Sequence, residues 1–445
     1  MLIKNATLVT WEQPNRILAG HALWSEDGRI GDLGPSAELE RKYPSADSVD
    51  AQGALILPGN ICAHTHFYGA FARGMAIPGD APADFPQILQ KLWWPLDRSL
   101  TEDDVRYSAL LCLADAIRHG TTTLIDHHAS PNVIDGSLDL IEQAVSEAGL
   151  RAVLCYEVTD RDGLEKMQAG IHENLRFFRK ASLDPGMVGA TFGLHASLTL
   201  SDASLDMCRE AAPDGAGFHI HVAESEADQR DSLEKAGSRV AERLQKHGIL
   251  GPRTIAAHCV HVNDHEIELL AETKTWVSHQ PRSNMNNGVG VAPVEEMLGA
   301  GISVCLGNDG FSNAMWEEWK AAYLLHKVHH LDPRRMSGAT VIGIAAHNNA
   351  ALASSFFPGT PVGVLQPGAA ADLMFVDYHA PTPLTIDNLP WHIIFGFRES
   401  MVTDTMAGGR FLMRDRELLT LDEAEIAARA SELAAKVWRR YASSF

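Results

Sequence analysis

Leu55-Ile56-Leu57-Pro58-Gly59-Asn60-Ile61-Cys62-Ala63-His64-Thr65-His66 is an apolar run that ends in two imidazoles. Side chains at i and i+2 of a strand point to the same side, so His64 and His66 can face one ion. Three later apolar runs also lead into polar residues. The run at 217–222 carries His219 and His221 and leads to Glu224. The run at 254–257 leads to His258, and the run at 302–306 leads to Gly307-Asn308-Asp309-Gly310. Parallel barrels gather their catalytic residues at the C-terminal ends of the strands. Four strand ends bearing imidazole or carboxylate therefore favour a closed (β/α)8 TIM barrel over an open doubly wound sheet.

The intervening sequence fits that reading. Eight strand candidates fall at 55–63, 121–126, 152–157, 189–194, 217–222, 254–257, 275–278 and 302–306. Helical-period stretches such as 103–118 and 226–246 separate most of them, as repeated βα units require. Residues 1–57 read as short β segments, and β character returns at 368–377 and 403–414. The expected organisation is an α/β chain: a small β-sandwich domain built from both chain ends (1–57 and 361–420), a barrel over 58–360, and a C-terminal helix over 421–445.

The 445 residues suffice for a barrel plus an accessory unit. A formal charge of −20 disfavours nucleic acid and anionic membrane surfaces as partners. Six cysteines without a Cys-x-x-Cys pair read as reduced thiols of a cytoplasmic protein. The sequence has neither an apolar run of membrane-spanning length nor a signal-like start.

His64, His66, His221 and Asp309 are the expected ligands of one divalent metal ion. Three imidazoles and a carboxylate suit zinc, with iron as an alternative, and leave a position for water. His219 competes with His221, but the three-residue step from His221 to Glu224 favours His221, leaving His219 a supporting role. The bland alternative for the pair at 64 and 66 is two hydrogen-bonded polar histidines, and for Glu224 a carboxylate at a helix N-terminus. Glu224 is the expected proton shuttle, His258 a polariser, and Asp309 a ligand that also accepts a proton from water. Strand four, Gly189-Ala190-Thr191-Phe192-Gly193-Leu194-His195, has no lysine to bridge two metals, so one ion is expected. His195, Gln280, Asn284, Asn313, His128, Phe67 and Trp94 are candidates for the substrate pocket, with Trp93 and His127 beside them.

Together, Pro58 through His66, His221-x-x-Glu224, His258, Ser283-Asn284 and Gly307-Asn308-Asp309-Gly310 resemble the amidohydrolase superfamily. The likeness is to its branch of cytosine and guanine deaminases and triazine hydrolases. It spans nearly the whole chain, and the segment Gly368-Ala369-Ala370-Ala371-Asp372-Leu373 resembles that branch's return to its β domain. His66-Phe67-Tyr68, Leu92-Trp93-Trp94, Asp126 to Pro131 and Arg282 to Asn287 are similar to the SsnA group of aminohydrolases, associated with purine breakdown. The resemblance implies the same ligands, the same acid and the same polariser. It also implies a small purine-related N-heterocycle as substrate, and a homodimer. Hydrolytic deamination is the leading expectation. Ring opening of a cyclic amide or imine is the alternative, ahead of dehalogenation of a triazine-like ring and of a non-catalytic scaffold barrel.

Overall fold

The computed structural model describes residues 1–183 and 186–445. Eight parallel strand positions form the barrel: Asn60–Thr65, Thr121–His128, Arg151–Tyr156, Val188–Ala190 continued by Phe192–Ala196, Phe218–Val222, Ile255–His258, Trp276–His279 and Val304–Leu306. Neighbours in this order pair in parallel within two sheets of four and five strands. Two bridges join those sheets into a ring. Val158 pairs with Leu194, and Thr65 pairs with Asp309. At the second seam the backbone N–H groups of Asn308 and Asp309 both donate to the His64 carbonyl at 3.0 Å. Closing the barrel therefore brings the first and last strand ends, with their ligand candidates, side by side.

Helices cover the ring between strands. Glu102–Arg118, Ser137–Ala148 and Asp202–Ala211 are examples. They bury Leu110, Leu113 and Ile117, then Ile141 and Val145, then Leu205, in one continuous apolar core. Among the described residues no helix is long and apolar enough to cross a membrane, and all six cysteines are free thiols.

The first expected strand proves to be two. Leu55–Pro58 pairs with Leu2–Val9 and Leu373–Val376 in a second sheet, while Asn60–Thr65 enters the barrel. Gly59 makes the break possible, because a Cβ there would lie 2.2–2.7 Å from the Thr122 side chain. The second sheet has nine strands drawn from both chain ends, including Ile17–Glu26, Arg29–Pro35, Val402–Ala407 and Arg410–Arg414. Its strands form one continuous hydrogen-bonded sheet. Curling lets Leu23 and Ile30 from one side share a core with Met406 and Phe411 from the other. Arg151 of the third barrel strand holds this unit to the barrel through a buried pair with Asp372 at 2.9 Å.

Candidate metal centre and cavity

Three imidazoles and one carboxylate converge at the C-terminal mouth of the barrel. Asp309 Oδ1 lies 3.1 Å from His64 Nε2 and 3.0 Å from His66 Nε2. His66 Nε2 lies 3.1 Å from His221 Nε2. Each ring is fixed from behind through its other nitrogen. His64 Nδ1 meets His219 Nε2 at 2.8 Å, His66 Nδ1 meets the His127 carbonyl at 2.6 Å, and His221 Nδ1 meets the His195 carbonyl at 2.8 Å. A carbonyl only accepts, so His66 and His221 each keep a proton on Nδ1; the Nε2 of His221 then carries a lone pair, and that of His66 does so once its second proton is lost. Two lone pairs and a carboxylate oxygen, packed about 3 Å apart, repel one another unless a cation lies among them. Bonds of ~2.0–2.1 Å to a four- or five-coordinate ion give ligand–ligand edges of roughly 2.9–3.4 Å, which matches the spacing. The donor set therefore fits a divalent metal.

His219 is the supporting ring expected from the sequence, stacked one pleat below His221 and held against His64. His127 also lies within reach of the cluster. Its Nε2 faces the His219 carbonyl at 3.0 Å and its Nδ1 faces Glu157 at 3.3 Å, so it serves the surroundings of the site.

Backbone strain is concentrated here. Ala223, His258, Cys259 and Asp309 all have φ between 47° and 71°, a region that residues other than glycine seldom occupy. These four residues end the fifth, sixth and eighth strands, where the chain turns sharply to aim side chains into the mouth.

Burial of the site decides its protonation. It holds His64 down to about 3 and His221 well below the usual imidazole range. Burial opposes charge on His66 too, but the Asp309 carboxylate outweighs it and holds that ring up to about 9. A proton on His66 thus replaces the cation when the cluster is empty of metal. Metal binding must expel that proton, so affinity should rise by about tenfold per pH unit up to the region of pH 9. Chelator competition at pH 6, 7 and 8 measures this. An affinity independent of pH would show that no proton is displaced.

Glu224 lies at the cavity wall beside the cluster. Burial first, then repulsion by Asp309, push its carboxyl well above the usual range. Asn287 Nδ2 donates to its Oε1 at 3.3 Å, and His258 Nε2 lies 3.4 Å from Oε2. His258 is fully buried and is oriented by Asn284 Oδ1 at 2.8 Å from its Nδ1. Gln280 Oε1 accepts from the His258 backbone N–H at 3.0 Å. The Ser283 hydroxyl donates to Asp309 Oδ2 at 2.5 Å.

A cavity open to solvent lies over the cluster. Tyr68, Phe85, Leu89, Trp93 and Trp94 supply apolar lining, and Asp97, Glu157, His195, Asp228 and Asn287 supply polar groups. His195 and Trp94 thus line the cavity, but five other expected pocket residues do not. Phe67 opens a short 3-10 helix after the strand and is fully buried in the core. His128 turns away to Ser130 at 2.8 Å. Gln280 and Asn284 are packed behind His258. Asn313 is buried against Asn308 and Asp115. Tyr68, Asp97, Glu157 and Asn287 were not foreseen. Glu157 had a usable signal, since it ends the third strand candidate.

The comparisons agree with this architecture. The amidohydrolase family profile matches residues 55–412. The 5'-deoxyadenosine deaminase of Methanosarcina mazei is 34% identical over 447 residues, covering 99% of each chain. The 5-methylthioadenosine/S-adenosylhomocysteine deaminase of Haloarcula marismortui is 35% identical, over 88% of this chain and 89% of its own length. The solved structure of an adenosine deaminase from Xanthomonas campestris with bound zinc superposes with a TM-score of 0.87 at 25% identity, covering 98% of both chains. A barrel that brings imidazoles and a carboxylate to its mouth, matched over most of its length by that profile and over nearly all of it by a deaminase, belongs to the amidohydrolase family.

Proposed function

We propose that the chain is a hydrolytic deaminase of an amino-substituted, purine-related heterocycle, with His64, His66, His221 and Asp309 as the ligands of a single zinc ion. Iron is the alternative metal for the same donors. One observation carries the reading: a buried carboxyl, Glu224, whose surroundings raise its affinity for a proton, stands on the wall of a cavity whose floor is a cluster of three imidazoles and a carboxylate spaced to hold a cation. A cation bound there lowers the pKa of water towards ~7 and so supplies a nucleophile at neutral pH.

The residues around it perform the remaining tasks. The aromatic wall of Tyr68, Trp93 and Trp94 holds a flat ring and excludes bulk water. Asp309 takes the proton that water loses. Glu224 gives its proton to the ring nitrogen, the proton held by Asp309 passes to the amine, and the new C–OH returns a proton to Glu224 as the C–N bond breaks with ammonia as the leaving group. His258, whose Nδ1–H is held by Asn284, presents the lone pair of Nε2 as an acceptor for the O–H of the attacking oxygen. The relatives named for deamination of 5'-modified adenosines support a purine-type ring.

Ammonia release from a panel of aminopurines, aminopyrimidines, aminotriazines and 5'-modified adenosines, on zinc-loaded protein, tests the reading. Ammonia formed in equal amount to an oxo-product is the expected result. Turnover without ammonia would replace deamination by ring opening.

A further inference from the structure

The tyrosine, phenylalanine and tryptophan side chains that line the cavity are Tyr68, Phe85, Trp93 and Trp94. All four come from one connection, residues 66–101, between the first barrel strand and the helix Glu102–Arg118. Part of that connection has little support of its own. None of residues 73–84 is buried, and Gly74 and Gly79, both at φ 76°, have open space where a side chain would be.

Support comes instead from the far end of the chain. The C-terminal helix Glu423–Ala442 buries Leu433, Val437 and Tyr441, and its last turn sends side chains to backbone carbonyls of the connection. Trp438 Nε1 donates to the Phe71 carbonyl at 2.8 Å, Arg440 Nε donates to the Ser99 carbonyl at 2.6 Å, and the Tyr441 hydroxyl donates to the Lys91 carbonyl. These carbonyls stand before, within and after the stretch that carries Phe85, Trp93 and Trp94.

The middle bond fills a gap in the local sequence. A helical carbonyl accepts from the N–H four residues on. For Lys91 that position is Pro95, which has no N–H. The chain widens there: Leu89–Trp93 is a π turn, and the Trp94 N–H reaches the Leu89 carbonyl five residues back. Such turns are rare and recur at functional sites. Tyr441, 1% exposed, thus brings a hydroxyl to the carbonyl that Pro95 leaves without its ordinary partner, two residues before Trp93.

We propose that the C-terminal helix positions the aromatic side of the cavity for its ligand, with Tyr441 as the positioning residue for Trp93 and Trp94. Ligand affinity then depends on a side chain that touches neither ligand nor metal. This rests on the reading of the cavity as the site of a flat heterocycle, and the first measurement below is independent of that reading.

Hydrogen–deuterium exchange of the zinc-loaded protein compares the wild type with Tyr441→Phe, which removes only the hydroxyl. Protection of the backbone N–H groups over 89–97 should fall roughly 2- to 10-fold, the worth of one hydrogen bond. Zinc content and protection over the helix Glu226–Ala236 should be unchanged. Steady-state kinetics on whichever heterocycle of the panel releases ammonia should show KM raised by a similar factor with kcat little changed, the pattern of lost ground-state binding. Should Tyr441→Phe fail to fold, Trp438→Phe carries the same comparison at a partly exposed ring. Unchanged exchange over 89–97 overturns the proposal. So does faster exchange spread equally over the barrel helices, which would make the hydroxyl a part of general stability, and so does a fall in kcat with KM unchanged. If no heterocycle releases ammonia, the deaminase reading fails, and exchange alone decides the role of Tyr441.

Discussion

Replacing Glu224 by glutamine is expected to lower turnover by roughly 10²–10⁴-fold, the usual contribution of a positioned general acid, while metal content stays at the wild-type level. Glutamine keeps the shape and the hydrogen bond to Asn287 but has no proton to give to a departing nitrogen. The unusually high affinity of Glu224 for its proton arises first from burial and then from Asp309. In the wild type the acid limb of catalysis should consequently extend above the ordinary carboxylate range, with activity lost as pH rises through the raised value. That limb should be absent from the residual activity of the variant. Steady-state kinetics with metal analysis of both proteins provides the check. Turnover within a few-fold of wild type would take Glu224 out of proton transfer.

A larger loss is expected for His221→Ala. Its Nε2 is one of the lone pairs that face His66 at 3.1 Å. Without it the cluster has three donors and an opening, and metal should become substoichiometric after dialysis. Activity should fall by roughly 10⁴-fold or more, since the cation is what brings the pKa of water from ~15.7 to ~7. The protein should remain folded, because the ring contributes little to the apolar core. Circular dichroism with elemental analysis separates loss of metal from loss of structure. A variant that retains one tightly bound ion per chain would contradict the assignment of His221.

Much of the site was legible because barrel geometry and strand alternation are both periodic. His64 and His66 share a side by the two-residue repeat, and the same repeat stacks His219 beneath His221. Closure then brings strand ends together regardless of sequence distance, which is how Asp309 reaches His64 across 245 residues. The pocket was less legible for the same physical reason. Phe67 and His128 sit at strand ends, but their side chains turn into the core or towards a local partner, and sequence alone shows only the position. Gln280 and Asn284 were assigned to the substrate, yet a buried His258 needs partners for its own N–H groups and takes them. Asp97 lies in a helical connection after the first strand, where no periodic pattern points at the cavity. Glu157 could have been found by the rule that found Glu224, since it follows the third strand directly.

The terminal sheet shows a comparable limit. Its β character was visible at both ends of the chain, but the strand break at Gly59 depends on Thr122, a contact 63 residues away along the sequence. An apolar run of nine residues carries no mark of where it passes from one sheet to another.

Anomalous diffraction from crystals of the zinc-loaded protein, collected on both sides of the zinc edge, tests the central claim most directly. It predicts one strong peak per chain, within bonding distance of the Nε2 atoms of His64, His66 and His221 and of an Asp309 oxygen, with Glu224 near it but outside bonding distance. A peak centred on His127 or on the other side of the barrel, or no peak at the mouth in protein that is active, would contradict it.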